Sequence, residues 1–476
     1  MPATIFAPAT AAGRAAVAIL RLSGPDAGRV LTALAGGLPP PRAARRRRLV
    51  DPATGEPLDD ALVLWFPAPA SLTGEDVAEL QLHGSRAVLA AVATVLRRLG
   101  LRLAEPGEFS RRAFLNGKLD LTQAEAIADL AIAETEAQRR QALRQLDGEL
   151  GELYRCWARR LTRTLAHLEA AIDFPDEDLP PEIEAGIAYE IAALGAELAR
   201  HLADGHRGER LRDGIAIAII GPPNAGKSSL LNRIARREAA ITSPYAGTTR
   251  DIVEVAIDLA GYPVVLADTA GLRDSSDPVE EEGLRRARRR AETAEIRLFV
   301  FDARDPAAAF GAAQWPGPDT ILVANKIDLI EPGHWRAKPV MPGGDPSIHE
   351  SAAEAESTDD RDKPGHDAAA GSRVDVADTA ISVSALTGAG LDALLTALGE
   401  RITAAYRSEA PVLTRARHRE ALEDAAAALA RAAAAALAEL RAEDLRLAWR
   451  SLGRITGSVD VEDLLDIIFR DFCLGK

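Results

Sequence analysis

The apolar positions change rhythm several times along the chain. From Thr4 to about Lys118 they fall in short runs, and Val17 to Leu22, Ala61 to Phe66 and Val77 to Leu82 read as strands. A helix over Arg86 to Leu99 follows, so residues 1–118 are expected to form a small α+β domain. From Leu121 to about His201 the apolar residues recur at helical spacing, with an interruption at Asp173 to Pro181. The same texture returns from Arg401 to Phe469. There the Ala-rich run between Ala421 and Leu440 combines high intrinsic helicity with enough leucine to pack against partner helices.

Between the two helical blocks the pattern alternates. Ile215 to Ile220 is a six-residue apolar run closed by glycine, as a buried parallel strand reads. Further strands are expected at Val253 to Leu259, Pro263 to Ala267, Leu298 to Phe301, Ile321 to Ala324 and Ile381 to Val383, giving a doubly wound sheet with helical connections. A self-contained α/β module at 213–402 implies that residues 119–212 and 403–476 form one discontinuous helical domain around it. The fold class expected is multidomain: an α+β N-terminal domain, a discontinuous α-helical domain and an inserted Ras-like α/β P-loop domain. Residues 331–380 are rich in Pro, Gly, Ala, Asp and Ser without periodicity, and read as a flexible surface insertion in that module.

The chemistry concentrates in the inserted module. Gly221-Pro-Pro-Asn224-Ala225-Gly226-Lys227-Ser228-Ser229 directly follows the first strand, the strand-to-helix context a P-loop requires. Its glycines let backbone N–H groups curl towards phosphate oxygens at a helix N-terminus. Lys227 would reach the β and γ phosphates, and Ser228 would ligate Mg²⁺. Asp268-Thr269-Ala270-Gly271 stands where a switch loop begins, with Asp268 holding Mg²⁺ through water and the Gly271 N–H sensing the γ-phosphate. Ser243, Pro244, Tyr245, Ala246, Gly247, Thr248 and Thr249 lie in the first switch, where Thr249 is the expected second Mg²⁺ ligand. Asn325-Lys326-Ile-Asp328 sets the base: a carboxylate accepts from guanine N1–H and the 2-amino group, and adenine presents neither donor. Ser384 and Ala385 fit the loop that contacts the guanine oxygen.

Hydrolysis needs a polar group to orient water, and Leu272 occupies the position where small regulatory GTPases carry glutamine. Asp274, Asp277, Glu280, Glu281 and Glu282 are the nearby candidates, most of them simply exposed loop charges. The sequence identifies no arginine finger. Asn224, Ser243, Tyr245 and Thr248 could offer oxygens to K⁺, or make local turns.

Composition adds bounds. The chain has 476 residues, 47% hydrophobic and 27% charged, which suits a globular protein of two or three domains. A net charge of -14 rules out a general electrostatic coat for nucleic acid and leaves only local basic runs, Arg42 with Arg45 to Arg48, and Arg285, Arg286 with Arg288 to Arg290. Each is read as a solvated loop or helix face. Two cysteines, Cys156 and Cys473, support no disulfide framework. No run approaches the roughly 18 apolar residues of a membrane span, and a cytoplasmic location with no membrane partner is expected.

The stretch from Gly221 to Asn232, Gly247-Thr-Thr-Arg-Asp251 and the terminal Cys473-Leu-Gly-Lys476 together resemble the MnmE (TrmE) family of bacterial tRNA wobble-uridine modification GTPases. Phe66-Pro67, Thr73-Gly-Glu-Asp-Val77, Pro106-Gly-Glu-Phe-Ser110, Arg112-Ala-Phe-Leu-Asn116 and Ala171-Ile-Asp-Phe-Pro-Asp176 also match, and only residues 331–380 fall outside the likeness. The resemblance implies a homodimer through the N-terminal domains and G domains that pair in K⁺. Asn224, Ser243, Tyr245 and Thr248 would hold the cation, and Glu280 would orient water. Ser243 stands where threonine is more usual.

The resemblance further implies a tetrahydrofolate derivative, in its 5-formyl or 5,10-methylene form, bound by Arg21, Glu79, Lys118 and Lys476. It also implies tRNA as substrate and the flavoprotein MnmG as partner, the two together adding an aminomethyl or carboxymethylaminomethyl group at the wobble uridine C5. Cys473 would lie beside the folate, either as a covalent catalyst or as an ordinary packed cysteine. Two rival readings are a ribosome-assembly GTPase of the Era or Der type, which shares the G-domain motifs alone, and a nucleotide-gated scaffold without turnover.

Overall fold

The computed structural model describes residues 3–11, 13–173, 181–204, 206–238, 254–268, 288–314, 319–330, 380–407, 411–459, 465, 468, 469, 472 and 475. The chain divides into two compact units, Met1–Arg212 with Ser408–Lys476, and Asp213–Arg407.

The first unit opens with a six-stranded sheet of β1 Ile5–Pro8, β2 Ala15–Ser23, β3 Arg45–Val50, β4 Pro57–Phe66, β5 Val77–Gly84 and β6 Arg102–Leu103. The strand order is β3-β4-β5-β2-β1-β6, antiparallel except where β1 meets β6. Alternation along β2 buries Ala18, Leu20 and Leu22 and leaves Ile19 and Arg21 half-buried on the other face. On the buried face lie α1 Ala27–Ala35 and α2 Arg86–Arg98, whose Val30, Leu31, Leu34, Val92, Val95 and Leu96 close a core with Phe6 and Leu80. The start of α2 is set by Ser85, whose hydroxyl accepts from the Ala87 and Val88 amides. A third helix, α3, spans Glu108–Leu115.

The basic run Arg45 to Arg48 is a strand, not the solvated loop or helix face expected. Leu49 anchors it in the core, and its position at the sheet edge leaves Arg45, Arg46 and Arg48 exposed and Arg47 half-buried without disturbing the ladder.

Helices then dominate: α4 Leu121–Ile132, α5 Glu136–Leu146, α6 Glu149–Asp173, α7 Pro181–Leu202 and α8 Arg207–Asp213. Asp120 with Gln123 and Thr135 with Gln138 form reciprocal capping boxes that fix where α4 and α5 begin.

The second unit is built on β7 Ile215–Ile220, β8 Glu254–Leu259, β9 Tyr262–Asp268, β10 Ile296–Asp302, β11 Thr320–Asn325 and β12 Ile381–Ser382, ordered β12-β11-β10-β7-β9-β8. Helices α9 Lys227–Arg237 and α10 Leu391–Tyr406 belong to it. Five strands run parallel, and β8 departs from the expected pattern: it pairs antiparallel with β9 through a tight turn at Ala260 and Gly261, both at positive φ.

The chain returns in α11 Ala416–Ala434 and α12 Ala438–Thr456. The expected continuous helical run from Ala421 to Leu440 is therefore interrupted, with Ala435 and Leu437 in extended backbone. Packing overrides propensity here, because the reversal lets Ala425, Ala428 and Leu429 meet Leu445, Ala448 and Leu452 in one core with Tyr154, Trp157, Leu161, Ile191 and Leu198. At the base of this bundle, Asp129 accepts from Arg212 at 3.0 Å and Arg415 at 2.7 Å. These arginines flank, in sequence, the departure to and return from the second unit.

Candidate active site

The P-loop is held open by its neighbours. Gly221 has φ 137°, and a Cβ there would collide with the Val300 carbonyl of β10, so only glycine lets the loop leave β7 this closely. Gly226 caps α9 in the left-handed region, and a Cβ would strike the Asn325 amide. Asn224 also has positive φ, at 61°.

Lys227 opens α9 and turns its ammonium back over the loop, donating to Gly221 O at 2.9 Å and Pro222 O at 3.0 Å. Burial lowers its pKa, opposed by the charge of Asp268 at the end of β9. Because β9 runs parallel to β7, Asp268 stands opposite Ile219, at the edge from which the P-loop springs. Ser228 and Ser229 follow in the exposed first turn of α9. A hydroxyl and a carboxylate at this edge form an oxygen donor set suited to Mg²⁺.

The loops at Asn325–Asp328 and Ser384–Ala385 join the P-loop through Asn325. Its buried side chain donates from Nδ2 to Ala225 O at 2.8 Å, and its Oδ1 accepts the Ala385 amide at 3.0 Å. Lys326, in the left-handed region with φ 68°, donates to Asn224 O at 2.6 Å and to Asp302 Oδ2 at 2.9 Å. Arg304 and Lys326 keep the Asp302 carboxyl ionised, far below its ordinary range. Asp328 sits in a short 3₁₀ turn, Ile327–Leu329, and accepts from the Ser384 hydroxyl at 2.5 Å. Ser384 is tied down by its own loop, accepting the Thr387 amide at 3.0 Å. Thus Asn224, Ala225, Gly226, Lys227, Asn325, Lys326, Asp328, Ser384 and Ala385 converge on one edge of the sheet. Asp302 escaped the sequence reasoning, with only the strand end preceding Arg304 to hint at it. The role of Gly221 in the loop was readable, but its close approach to Val300 is invisible in sequence.

Ser243, Pro244, Tyr245, Ala246, Gly247, Thr248, Thr249, Thr269, Ala270, Gly271 and Glu280 lie outside the described residues, as do Cys473 and Lys476.

The N-terminal domain carries a second cluster. Arg21 on β2 and Glu79 on β5 are register partners and form an ion pair at 2.9 Å on the face away from the helices. The Arg21 guanidinium also lies 5.8 Å from the centre of the Phe109 ring, a contact not anticipated from sequence. The motifs around 73–77 and 106–116 are brought together: Arg112 donates to Glu75 at 2.9 Å and to Glu108 at 2.9 Å, and Asn116 to Thr73 O at 2.7 Å. Lys118 is exposed and donates to Pro69 O at 3.1 Å. Gly475 is buried against Pro8, next in β1 to Ala7, the register partner of Arg21. Phe469 and Phe472 pack with Leu121 and Ala124 beneath it. The cation and carboxylate fit a pterin with its polar N–H edge and anionic tail.

Two family models match. Residues 4–118 match the GTP-binding protein TrmE N-terminus, and residues 121–473 match the MnmE helical domain. The tRNA modification GTPase MnmE of Rhodospirillum rubrum is 56% identical over 491 residues, covering 99% of this chain and 99% of that protein. Those of Parvibaculum lavamentivorans and Paramagnetospirillum magneticum are 54% and 53% identical, covering 99% and 100% of this chain and all of each relative.

Proposed function

The chain belongs to the MnmE family of tRNA modification GTPases, and from that membership we propose that it hydrolyses GTP to drive modification of the wobble uridine of tRNA. The observation that supports this most is Asn325, which couples the loop for phosphate to the loop for base through one buried amide. In this reading Lys227 and the P-loop amides bind the β and γ phosphates, and Asp328 accepts from the guanine N1–H and 2-amino groups. Ser228 and Thr249 hold Mg²⁺, with Asp268 beyond. Asn224, Ser243, Tyr245 and Thr248 hold K⁺. When bound, both cations supply positive charge where the phosphate oxygens gain negative charge. Glu280 orients the water that Leu272 cannot.

The one-carbon unit comes from a tetrahydrofolate derivative bound at Arg21 and Glu79, with Lys118 and Lys476 contributing cations and Cys473 nearby. The protein works as a cytoplasmic homodimer with the flavoprotein MnmG, which brings the redox chemistry. Among the described residues no helix is long and apolar enough to cross a membrane. A ribosome-assembly GTPase of the Era or Der type does not account for the match over residues 4–118. Nucleoside mass spectrometry on tRNA from cells lacking the protein tests the proposal: the C5-modified wobble uridine should vanish and return with the wild-type gene. Intact modification would refute it.

A further inference from the structure

The most concentrated positive charge on the described surface lies in the first unit, on the edge strand β3. Arg45, Arg46, Arg47 and Arg48 are consecutive, and Arg42 precedes them, in a chain of net charge -14. Among the described residues the strand has a neighbour on one side only, β4. Pairing sorts the four by face. Arg46 and Arg48 share a face with Leu62 and Asp60, while Arg45 and Arg47 share the opposite face with Val63 and Ala61.

Their electrostatic environments differ accordingly. Arg48 donates to both oxygens of Asp60, at 3.3 and 3.1 Å, and Arg46 approaches the same carboxylate at 3.6 Å. Arg45 and Arg47 have only backbone carbonyls, those of Ala44 and Arg46, and no carboxylate partner among the described residues. Arg42 likewise donates to Ala70 O. Of five guanidinium groups, two therefore share one carboxylate, and three have none among the described residues.

Protecting an edge from pairing with another strand needs one or two charges. Four in succession, two of them without a counter-charge, repel one another at a cost the fold does not require. Side chains on one face of a strand recur about every 6.6 Å, comparable with the separation of successive phosphates along a nucleic-acid strand. An exposed guanidinium with free N–H donors is the group that grips phosphate in pairs of hydrogen bonds.

We propose that β3 is a docking edge for the tRNA phosphate backbone, with Arg45 and Arg47 making the principal contacts and Arg42 extending the track. This rests on the tRNA reading above and adds where the RNA is held. Contacts of this kind position the substrate without reading its sequence.

The test is tRNA binding by the full-length protein, followed by fluorescence anisotropy across a salt series. In the R45E/R47E variant, affinity at low salt should fall at least tenfold, and the slope of log K against log salt should become shallower by about two. GTP hydrolysis without tRNA should be unchanged, since neither residue belongs to the unit that carries the nucleotide loops. R45K/R47K should restore most of the binding, and R45Q/R47Q should lose the same slope if charge reversal disturbs folding. Unchanged affinity and slope in both the Glu and Gln variants would overturn the proposal. So would a loss confined to binding of the flavoprotein partner. Wild-type protein that binds no tRNA at all would instead strike at the functional reading itself.

Discussion

Asn325 and Ala225 stand 100 residues apart in sequence, yet a single hydrogen bond of 2.8 Å from the Asn325 amide to the Ala225 carbonyl joins them. The same side chain accepts from Ala385, so one side chain ties three loops of the sheet edge together. Asn325→Ala leaves two buried partners unsatisfied, each at about 1–3 kcal/mol. Titration calorimetry should show GTP affinity reduced at least tenfold, and the melting temperature should fall. Wild-type affinity in this variant would show that the bridge does not organise the site.

Asp328 is expected to choose the base. Asp328→Asn replaces an acceptor with a group that can donate to a 2-oxo purine, so affinity should shift from guanine towards xanthine nucleotides by roughly two orders of magnitude. Competition binding with GTP and XTP reads this directly. Unaltered preference would remove Asp328 from recognition.

Buried histidine makes the helical bundle sensitive to acid. His418 donates from Nε2 to Glu125 Oε2 at 2.9 Å, and burial, reinforced by Arg417, pushes its pKa down to about 4 from 6.5. Glu125 is held below its ordinary range: burial opposes this, but Arg417 and His418 outweigh it. Both depressions carry the same sign. The unfolded chain binds more protons, so the His418 contribution is complete above pH 6.5 and drains as pH falls towards 4, while that of Glu125 is lost only below about pH 4.5. The His418 share is on the order of 3 kcal/mol. Asp129, raised by burial, acts in the opposite sense, so the informative quantity is the difference between proteins. Urea midpoints between pH 7 and 4 should fall more steeply for wild type than for His418→Gln. Parallel curves would contradict this assignment.

Glu79 closes the Arg21 pair, and the folate reading places pterin N–H groups on its carboxylate. Glu79→Gln should weaken 5-formyltetrahydrofolate binding at least tenfold in calorimetry and leave GTP binding alone. Equal folate affinity would exclude the pair from that site.

Much of this architecture was legible in the sequence, for identifiable reasons. Ile215–Ile220 is bounded by glycines and apolar throughout, and the strand has those limits. The helix expected from Arg86 begins there in the structure, where the Ser85 hydroxyl caps it. β3 was hidden because an edge strand needs only one anchor, Leu49, and its arginines mimic a solvated run. The break at Ala435 was hidden because no Gly or Pro marks it; the packing of α11 on α12 decides it. In the site, residue types such as Lys227 and Asp328 were readable from motif spacing. The clasp of Asp302 on Lys326 and the contact of Phe109 with Arg21 depend on strands distant in sequence.

The central claim is guanine-selective turnover at this edge of the sheet, and hydrolysis by the purified protein tests it most directly. Initial rates with GTP and ATP should be compared in K⁺ and in Na⁺ with Mg²⁺ present. GTP should be hydrolysed faster in K⁺ than in Na⁺, ATP should be neither hydrolysed nor an effective competitor, and Glu280→Ala should bind GTP without turning it over. Equal use of ATP, or no nucleotide turnover under any of these conditions, would contradict it.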